Sequence, residues 1–112
     1  MPSPSLEVEP QQLKALLDAA PGNPPVLLDV REAWEVELAP VPGAIHLPLG
    51  LVPARATTLL NPQHPTVVVC HHGVRSLHAT MVLRSLGFGD VRSLRGGTDL
   101  WARTVDVNMP RY

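Results

Sequence analysis

The chain has 112 residues, of which 45% are hydrophobic, and its nine basic and ten acidic residues give a formal net charge of −1. This length fits one globular domain, which we expect to span residues 1–112, with a core at about 5–104 and a C-terminal tail at 105–112. The balanced charge leaves no basic stripe for nucleic acid, and the single cysteine excludes an internal disulfide or a paired-cysteine redox motif.

The sequence also lacks the marks of a membrane or exported protein. Residues 1–5 show no basic segment followed by an apolar stretch, so we expect no signal peptide. No apolar run approaches the roughly 20 residues that cross a bilayer. A lone thiol fits a reducing compartment. We therefore predict a cytoplasmic protein without a membrane partner.

Short apolar runs alternate with helical patterns along the chain. We expect strands at residues 6–8, 26–30, 44–47, 66–70 and 91–94. Helices are expected from Pro10 to about Ala20, over 31–37 and 52–60, from Ser76 to Leu86, and over 98–103. This alternation predicts an α/β fold, a parallel sheet with helices on both sides. The tail shows no periodicity.

The clearest chemical signal is the only cysteine, Cys70, which ends an apolar run and precedes a polar loop at residues 71–76. Ligands bind at the carboxyl ends of parallel strands, so we expect Cys70 at the functional edge and reachable from solvent. Gly73 can adopt a positive φ and let the loop curl, so that its amide N–H groups point at the sulfur. These amides, a helix N-terminus and a nearby cation favour the reactive thiolate. The predicted site comprises catalytic Cys70 and the substrate-binding residues His71, His72, Gly73, Val74, Arg75 and Ser76.

This segment has two other interpretations. A lone cysteine at the end of an apolar strand is by default a small buried hydrophobe, but the polar loop after it favours catalysis. A metal site is a second interpretation, because two histidines follow the cysteine. We expect His71 and His72 to point in divergent directions, however, and the other histidines are scattered. We therefore predict no metal and no cofactor.

Several segments, taken together and in order, resemble the single-domain rhodaneses, a family of sulfurtransferases. They are Leu27–Glu32, Gly43–Pro48, Val68–Ser76, Gly87-Phe88, Leu94–Gly97 and Trp101, spread over about residues 5–104. The resemblance implies a three-layer α/β/α domain around a parallel sheet of about five strands. It also implies that Trp101 packs in the core.

The same resemblance implies roles for individual residues. Cys70 would be the nucleophile that takes sulfur from a donor, and the amides of residues 71–75 would hold the resulting persulfide. Arg75 would close the loop and contact the substrate anion. Asp29 and Arg31 would be supporting residues that organise the site without breaking bonds.

The predicted function is transfer of sulfane sulfur from thiosulfate or a persulfide, through a Cys70 persulfide, to a thiophilic acceptor such as cyanide or a protein or small thiol. A cysteine desulfurase and a sulfur-carrier protein are candidate partners. Two alternatives stay open: a noncatalytic rhodanese module used for docking or regulation, and a cysteine-dependent phosphatase or arsenate reductase. Those enzymes place five residues between cysteine and arginine, whereas four separate Cys70 from Arg75.

Overall fold

One sheet of five parallel strands organises residues 5–112, the part of the chain that this computed structural model describes. The strands are β1 (Glu7–Val8), β2 (Val26–Asp29), β3 (Ile45–His46), β4 (Thr66–Val69) and β5 (Val91–Leu94). The helices are α1 (Pro10–Ala19), α2 (Ala33–Leu38), α3 (Val52–Leu59), α4 (Val74–Ser85) and α5 (Gly97–Thr104), with a 3-10 turn at Leu49–Leu51 before α3. The predicted α/β class and parallel sheet are confirmed.

The strand order, β1-β5-β4-β2-β3, brings the ends of β2 and β4 side by side. Leu28 of β2 pairs with Val68 of β4, and Asp29 pairs with Val69. The chain changes its direction of travel across the sheet here, because β3 lies on the far side of β2 from β4. Such a switch point is where open α/β sheets bind ligands, beyond the carboxyl ends of the strands. Arg31 and Cys70, which follow β2 and β4, lie at this edge.

Helices cover both faces of the sheet and complete three layers. On one face, α3 and α4 contribute to a buried core with Leu28, Val52, Val68, Ala79 and Leu83 among its members. On the other face, α1 and α5 contact each other over a second core of Val8, Leu13, Val67, Val69 and Leu94, against which Trp101 packs. Burial of each large aliphatic side chain contributes about 1.5–3 kcal/mol, so these two cores hold the layers together. The predicted core position of Trp101 is confirmed.

Two helices begin two residues away from the start that the sequence predicted. Helix α2 starts at Ala33, two residues later than expected, because Glu32 caps it and exchanges hydrogen bonds with Glu35 in a capping box. Arg31 is thereby left outside the helix, and it is fully buried. Helix α4 starts at Val74, two residues earlier than expected, because the left-handed backbone at Gly73 already ends the loop.

The tail after α5 folds back onto the domain. Met109 is buried in a small cluster with Ala39 and Ala102, and Tyr112 packs against the same cluster. Within residues 5–112, no helix combines the length and apolar character that crossing a bilayer requires. The prediction about a signal peptide concerns residues that lie mostly outside the described range.

Candidate active site

Three polar groups surround the Cys70 sulfur, immediately after β4. The Gly73 amide N–H donates to Sγ at 3.0 Å, and the Ser76 amide N–H donates to it at 3.3 Å. The Ser76 hydroxyl oxygen accepts from the thiol, also at 3.3 Å. Together with Ser93 of β5, these groups form what we call the sulfur cradle. Amide dipoles directed at one atom stabilise negative charge there, so the cradle suits a sulfur anion.

Glycine conformation and the start of α5 give the cradle its shape. Gly73 has φ +99°, as predicted, and a Cβ there would lie 3.1 Å from the Gly96 nitrogen. The carbonyl of Cys70 accepts from the Thr98 N–H at 2.8 Å, and that of His71 accepts from the Asp99 N–H at 3.0 Å. These two hydrogen bonds anchor the loop to the start of α5, and the amides of Gly73 and Ser76, farther along the chain, reach the sulfur.

Gly97 permits this close approach of α5 to the loop. A Cβ at Gly97 would lie 2.3 Å from the Cys70 carbonyl oxygen and 2.4 Å from that of His71. The sequence analysis treated this glycine only as part of a family motif. Its role becomes visible once the two backbones are seen in contact.

Ser93 extends the cradle from β5. Its hydroxyl lies 2.6 Å from the Ser76 hydroxyl, and both residues are fully buried. When Cys70 is a thiol, its S–H donates to the Ser76 hydroxyl oxygen. When Cys70 is a thiolate, both hydroxyl groups can rotate, so that Ser93 donates to Ser76 and Ser76 donates to the sulfur. The cradle can thus serve either protonation state. Sequence analysis missed Ser93, whose one signal is a small polar residue within the apolar strand β5.

A second assembly, which we call the charged cluster, lies beside the cradle and consists of Asp29, Arg31, Glu35, Arg75 and Tyr112. Arg75 donates to Glu35 through both terminal nitrogens, at 2.6 and 2.8 Å. Glu35 is 2% exposed and also accepts from the Tyr112 hydroxyl at 2.7 Å. The Arg75 hydrogen bonds, aided by Tyr112, lower the pKa of Glu35 to about 2. Glu35 is therefore an anion at neutral pH and holds Arg75 at the start of α4.

The same cluster contains the pair of supporting residues expected from sequence. Arg31 donates to the two Asp29 carboxylate oxygens at 2.8–3.2 Å, and both side chains are buried. It also donates to the Ala39 carbonyl at 2.7 Å and to the Tyr112 hydroxyl at 3.0 Å. Arg31 thus links the end of β2, the end of α2 and the tail. Sequence analysis named neither Glu35 nor Tyr112, since only tertiary contact joins them to Arg75.

The two histidines lie side by side, contrary to the divergent arrangement expected. Their ring centroids are 3.9 Å apart, and His71 stacks at 3.9 Å on its other side against Tyr112, with 11° between the planes. The bend of the loop around sulfur places both rings on one side, which the adjacency of the residues alone did not reveal. Burial, followed by the nearby His72, lowers the pKa of His71. With Asp99, the pair forms a group of potential metal ligands.

Exposure differs sharply among the predicted site residues. His72 and Val74 are exposed, and Val74 is 77% exposed. Cys70 is 1% exposed, so the expectation that its sulfur is reachable from solvent is wrong for this conformation. The sulfur packs at the border of the α3–α4 core while its polar neighbours close over it. A reagent reaches it only if part of the loop moves.

Comparison with known proteins agrees with this architecture. A family model described as the rhodanese-like domain matches residues 9–104. The chain belongs to the rhodanese-like domain family. The matched range includes Asp29, Arg31 and the whole loop from Cys70 to Ser76, and it leaves Tyr112 outside.

Curated relatives of this rhodanese-like domain include sulfurtransferases. It is 36% identical over 94 residues to the adenylyltransferase and sulfurtransferase UBA4 of Meyerozyma guilliermondii, covering 78% of the chain and 22% of that protein. It is 36% identical over 78 residues to a sulfurtransferase of Allochromatium vinosum, covering 70% of the chain and 72% of that protein. The chain spans at most 30% of the length of UBA4 and two other curated relatives.

Solved structures show the same rhodanese-like fold. The human single-domain sulfurtransferase TSTD1 is 25% identical and superposes with a TM-score of 0.76, over 90% of this chain and 98% of that one. The rhodanese-like domain of the Anabaena protein Alr3790 is 24% identical and has a TM-score of 0.80, over 96% and 78% of the two chains. Proteins whose names include sulfurtransferase therefore share the sequence family and the fold of this chain.

Proposed function

We propose that this domain transfers sulfane sulfur from thiosulfate or a persulfide to a thiophilic acceptor through a persulfide on Cys70. The observation that carries the proposal is the convergence of the Gly73 and Ser76 amides on the Cys70 sulfur, at 3.0 and 3.3 Å. Neutral dipoles that point at one atom suit a thiolate before the reaction. In the persulfide the negative charge lies on the added sulfur next to that atom, where the same dipoles also favour it.

The reaction has two halves. The Cys70 thiolate attacks the outer sulfur of the donor; the new S–S bond forms as the donor's bond to that sulfur breaks, and sulfite or a donor thiolate leaves with the electron pair. The acceptor then attacks the terminal sulfur, and the Cys70 thiolate leaves. Both leaving groups are stable anions, so neither half needs a general acid.

The buried position of Cys70 constrains the donor. A donor must carry its sulfur at the end of a narrow group, as thiosulfate and persulfides do. The loop at residues 71–73 must also move aside to admit it. Arg75 is proposed to close the loop through its bidentate pair with Glu35, and the part of its side chain left exposed (35%) is available to a substrate anion. Asp29 and Arg31 hold the neighbouring turn.

Relatives suggest classes of partner. The UBA4 relative and MoeZ of Mycobacterium tuberculosis, 32% identical over 106 residues, both combine adenylyltransferase and sulfurtransferase in their names. This supports a sulfur-carrier protein as a candidate acceptor, and a cysteine desulfurase as a candidate donor. We propose the cytoplasm as the location, because an unpaired thiol suits a reducing compartment.

The two alternative functions are not favoured. A phosphatase needs a loop that surrounds a phosphate group, but here the loop is one residue shorter and Arg75 is bound to Glu35. A module used only for docking has no need of a cysteine, or of two amides that point at its sulfur.

Mass spectrometry of the intact protein tests the proposal. After incubation with thiosulfate or a low-molecular-weight persulfide, we expect a gain of one sulfur atom, which cyanide removes with formation of thiocyanate. The Cys70→Ala variant should gain nothing, whereas His78→Asn, which changes an exposed residue of α4, should behave like the unmodified chain. Absence of the adduct with every donor, or its persistence in Cys70→Ala, would refute the proposal.

A further inference from the structure

The two half-reactions proposed above assign no chemical step to a cluster of three side chains at the rim of the sulfur cradle. One potential ligand atom from each of His71, His72 and Asp99 lies within 4.8 Å of the other two. The Cys70 sulfur is not part of this group. His72 is exposed, whereas His71 and Asp99 are partly buried. The cluster therefore faces solvent on one side and the loop on the other.

The backbone holds this cluster together. The Asp99 amide N–H donates to the His71 carbonyl at 3.0 Å, so the start of α5 and the loop cannot separate without breaking that bond. Stacking against Tyr112 at 3.9 Å orients the His71 ring. The His72 ring contacts the His71 ring but is exposed, so it can turn toward solvent. Two of the three ligands are thus positioned in advance, and the third can adjust.

One residue of the cluster carries an unsatisfied atom. The Nε2 atom of His71 is buried and has no hydrogen-bond partner. A buried polar atom without a partner destabilises the fold, so a native structure usually supplies one, and a bound ion is one kind of partner. Two imidazole nitrogens and one carboxylate oxygen are a donor set that suits Zn²⁺ and similar borderline cations.

We propose that His71, His72 and Asp99 bind one divalent transition-metal cation of the zinc class. Ligand bonds of about 2.0–2.2 Å require the donor atoms to draw closer than they are now, and rotation of His72 supplies most of that movement. Water would complete the coordination. The cation would place positive charge at the rim of the cradle, beside the path by which an anionic donor approaches Cys70.

Two arginines compete with the cation for Asp99. Arg103 lies 3.3 Å and Arg111 3.5 Å from its carboxylate oxygens, and these guanidinium side chains are 50% and 58% exposed. Both can move into solvent with little loss of stability, because exposed ion pairs contribute little. Binding therefore displaces them from the carboxylate. Removal of one of them should strengthen metal binding, a result that adventitious surface binding would not produce.

Calorimetric titration of the full chain with Zn²⁺, in a Cys70→Ala background and without any affinity tag, tests the site. Removing the thiol keeps this test independent of sulfur transfer. We expect one equivalent of Zn²⁺ to bind, and His72→Asn or Asp99→Asn to weaken binding by at least about tenfold. Arg111→Gln should tighten binding severalfold. Titration with Co²⁺ should give visible absorption bands that respond to the same substitutions.

Matched controls separate this site from the rest of the surface. His78→Asn and Asp90→Asn make the same chemical changes at exposed residues outside the cluster and should leave the affinity unchanged. Circular dichroism verifies that each variant is folded, and His72 is exposed enough to be replaced without loss of packing. The site is refuted if Zn²⁺ does not bind, if His72→Asn and Asp99→Asn bind as tightly as the background, or if His78→Asn weakens binding as much.

Discussion

The sulfur cradle and the charged cluster lie side by side but are built in opposite ways. The cradle uses neutral dipoles, nearly all from the seven residues that start at Cys70, and only Ser93 comes from elsewhere. The charged cluster uses full charges from the end of β2, from the turn after it, from α2 and from α4, and the tail adds the neutral hydroxyl of Tyr112. The sulfur cradle is local and polar, whereas the charged cluster is ionic and is assembled from distant segments.

This difference separates two tasks. Neutral dipoles can stabilise a negative sulfur without introducing a countercharge that would bind it permanently. The ion pairs carry larger energies, about 1.5–3 kcal/mol for hydrogen bonds to charged groups, and are placed where they fasten the loop rather than contact the sulfur. We therefore expect substitutions in the cradle to reduce the rate of sulfur transfer more than they reduce the stability of the fold. Damage to the charged cluster should reduce stability first.

The largest effect is expected from Gly73→Ala, which attacks the cradle directly. An alanine at φ +99° is strained by about 1–2 kcal/mol, and its Cβ would press on the Gly96 nitrogen. We expect the Gly73 amide to leave the sulfur and persulfide formation to slow about a hundredfold, equivalent to about 2.7 kcal/mol. Gly50→Ala, where a Cβ meets open space, is the control. Rapid persulfide formation in Gly73→Ala would show that this amide is dispensable.

Glu35→Gln tests the charged cluster through pH. The ordinary pKa of 4.5 falls to about 2 in the folded protein, so the ionised carboxylate stabilises the fold above about pH 4.5, and that contribution is lost as the pH falls toward 2. We expect the variant to lose on the order of 2 kcal/mol at pH 7, allowing for the partial exposure of Arg75. It should also lack this part of the acid dependence.

Urea unfolding at pH 7, 4.5 and 3 measures both effects of Glu35→Gln. Glu37→Gln, an exposed position on the same helix, should match the unmodified chain at each pH. Equal acid sensitivity of Glu35→Gln and the unmodified chain would mean that the Arg75 pair does not contribute to stability.

Ser76→Ala should give a smaller effect on the cradle. The variant loses the hydroxyl 3.3 Å from sulfur but keeps the amide at the same distance. We expect persulfide formation, and alkylation of Cys70 by iodoacetamide at pH 7, to slow about tenfold, equivalent to about 1.4 kcal/mol. Ser85→Ala, on the exposed part of α4, is the matched control. A rate within twofold of the unmodified chain would remove the hydroxyl from the mechanism.

Tyr112→Phe should have the smallest effect. It removes the hydroxyl shared by Arg31 and Glu35 but keeps the ring that stacks on His71. We expect a loss of about 1 kcal/mol in unfolding free energy and a change in activity of a few fold at most. Tyr112→Leu, which also removes the stacking, should lose more. If the two variants are equally stable, the ring contributes nothing and the tail is held by its hydroxyl alone.

Most of the fold was predictable because its signals are local. Apolar runs bounded by glycine and proline located all five strands, and every predicted helix was found near its expected place. The position of Cys70 after a central strand and the positive φ of Gly73 follow from neighbouring residues in the same way. The helix starts at Ala33 and Val74 were missed by two residues, because a capping box and a left-handed glycine decided them.

The rest of the site depends on which segments meet in space. No periodicity marks Tyr112, and the tail binds Glu35 and His71 only after α2 and the loop have been packed together. The contact between the His71 and His72 rings arises from the curl of the loop against α5, and the burial of Cys70 arises from the α3–α4 core.

The sequence by itself determined a parallel α/β domain and a cysteine loop whose amides can turn toward one sulfur, because backbone geometry within a few residues is enough to specify both. Tertiary structure alone decided that Ser93 completes the cradle, that Glu35 and Tyr112 fasten Arg75 and Arg31, and that Asp99 lies beside two histidines. These contacts join residues up to 81 positions apart, so their energies exist only after the layers have packed.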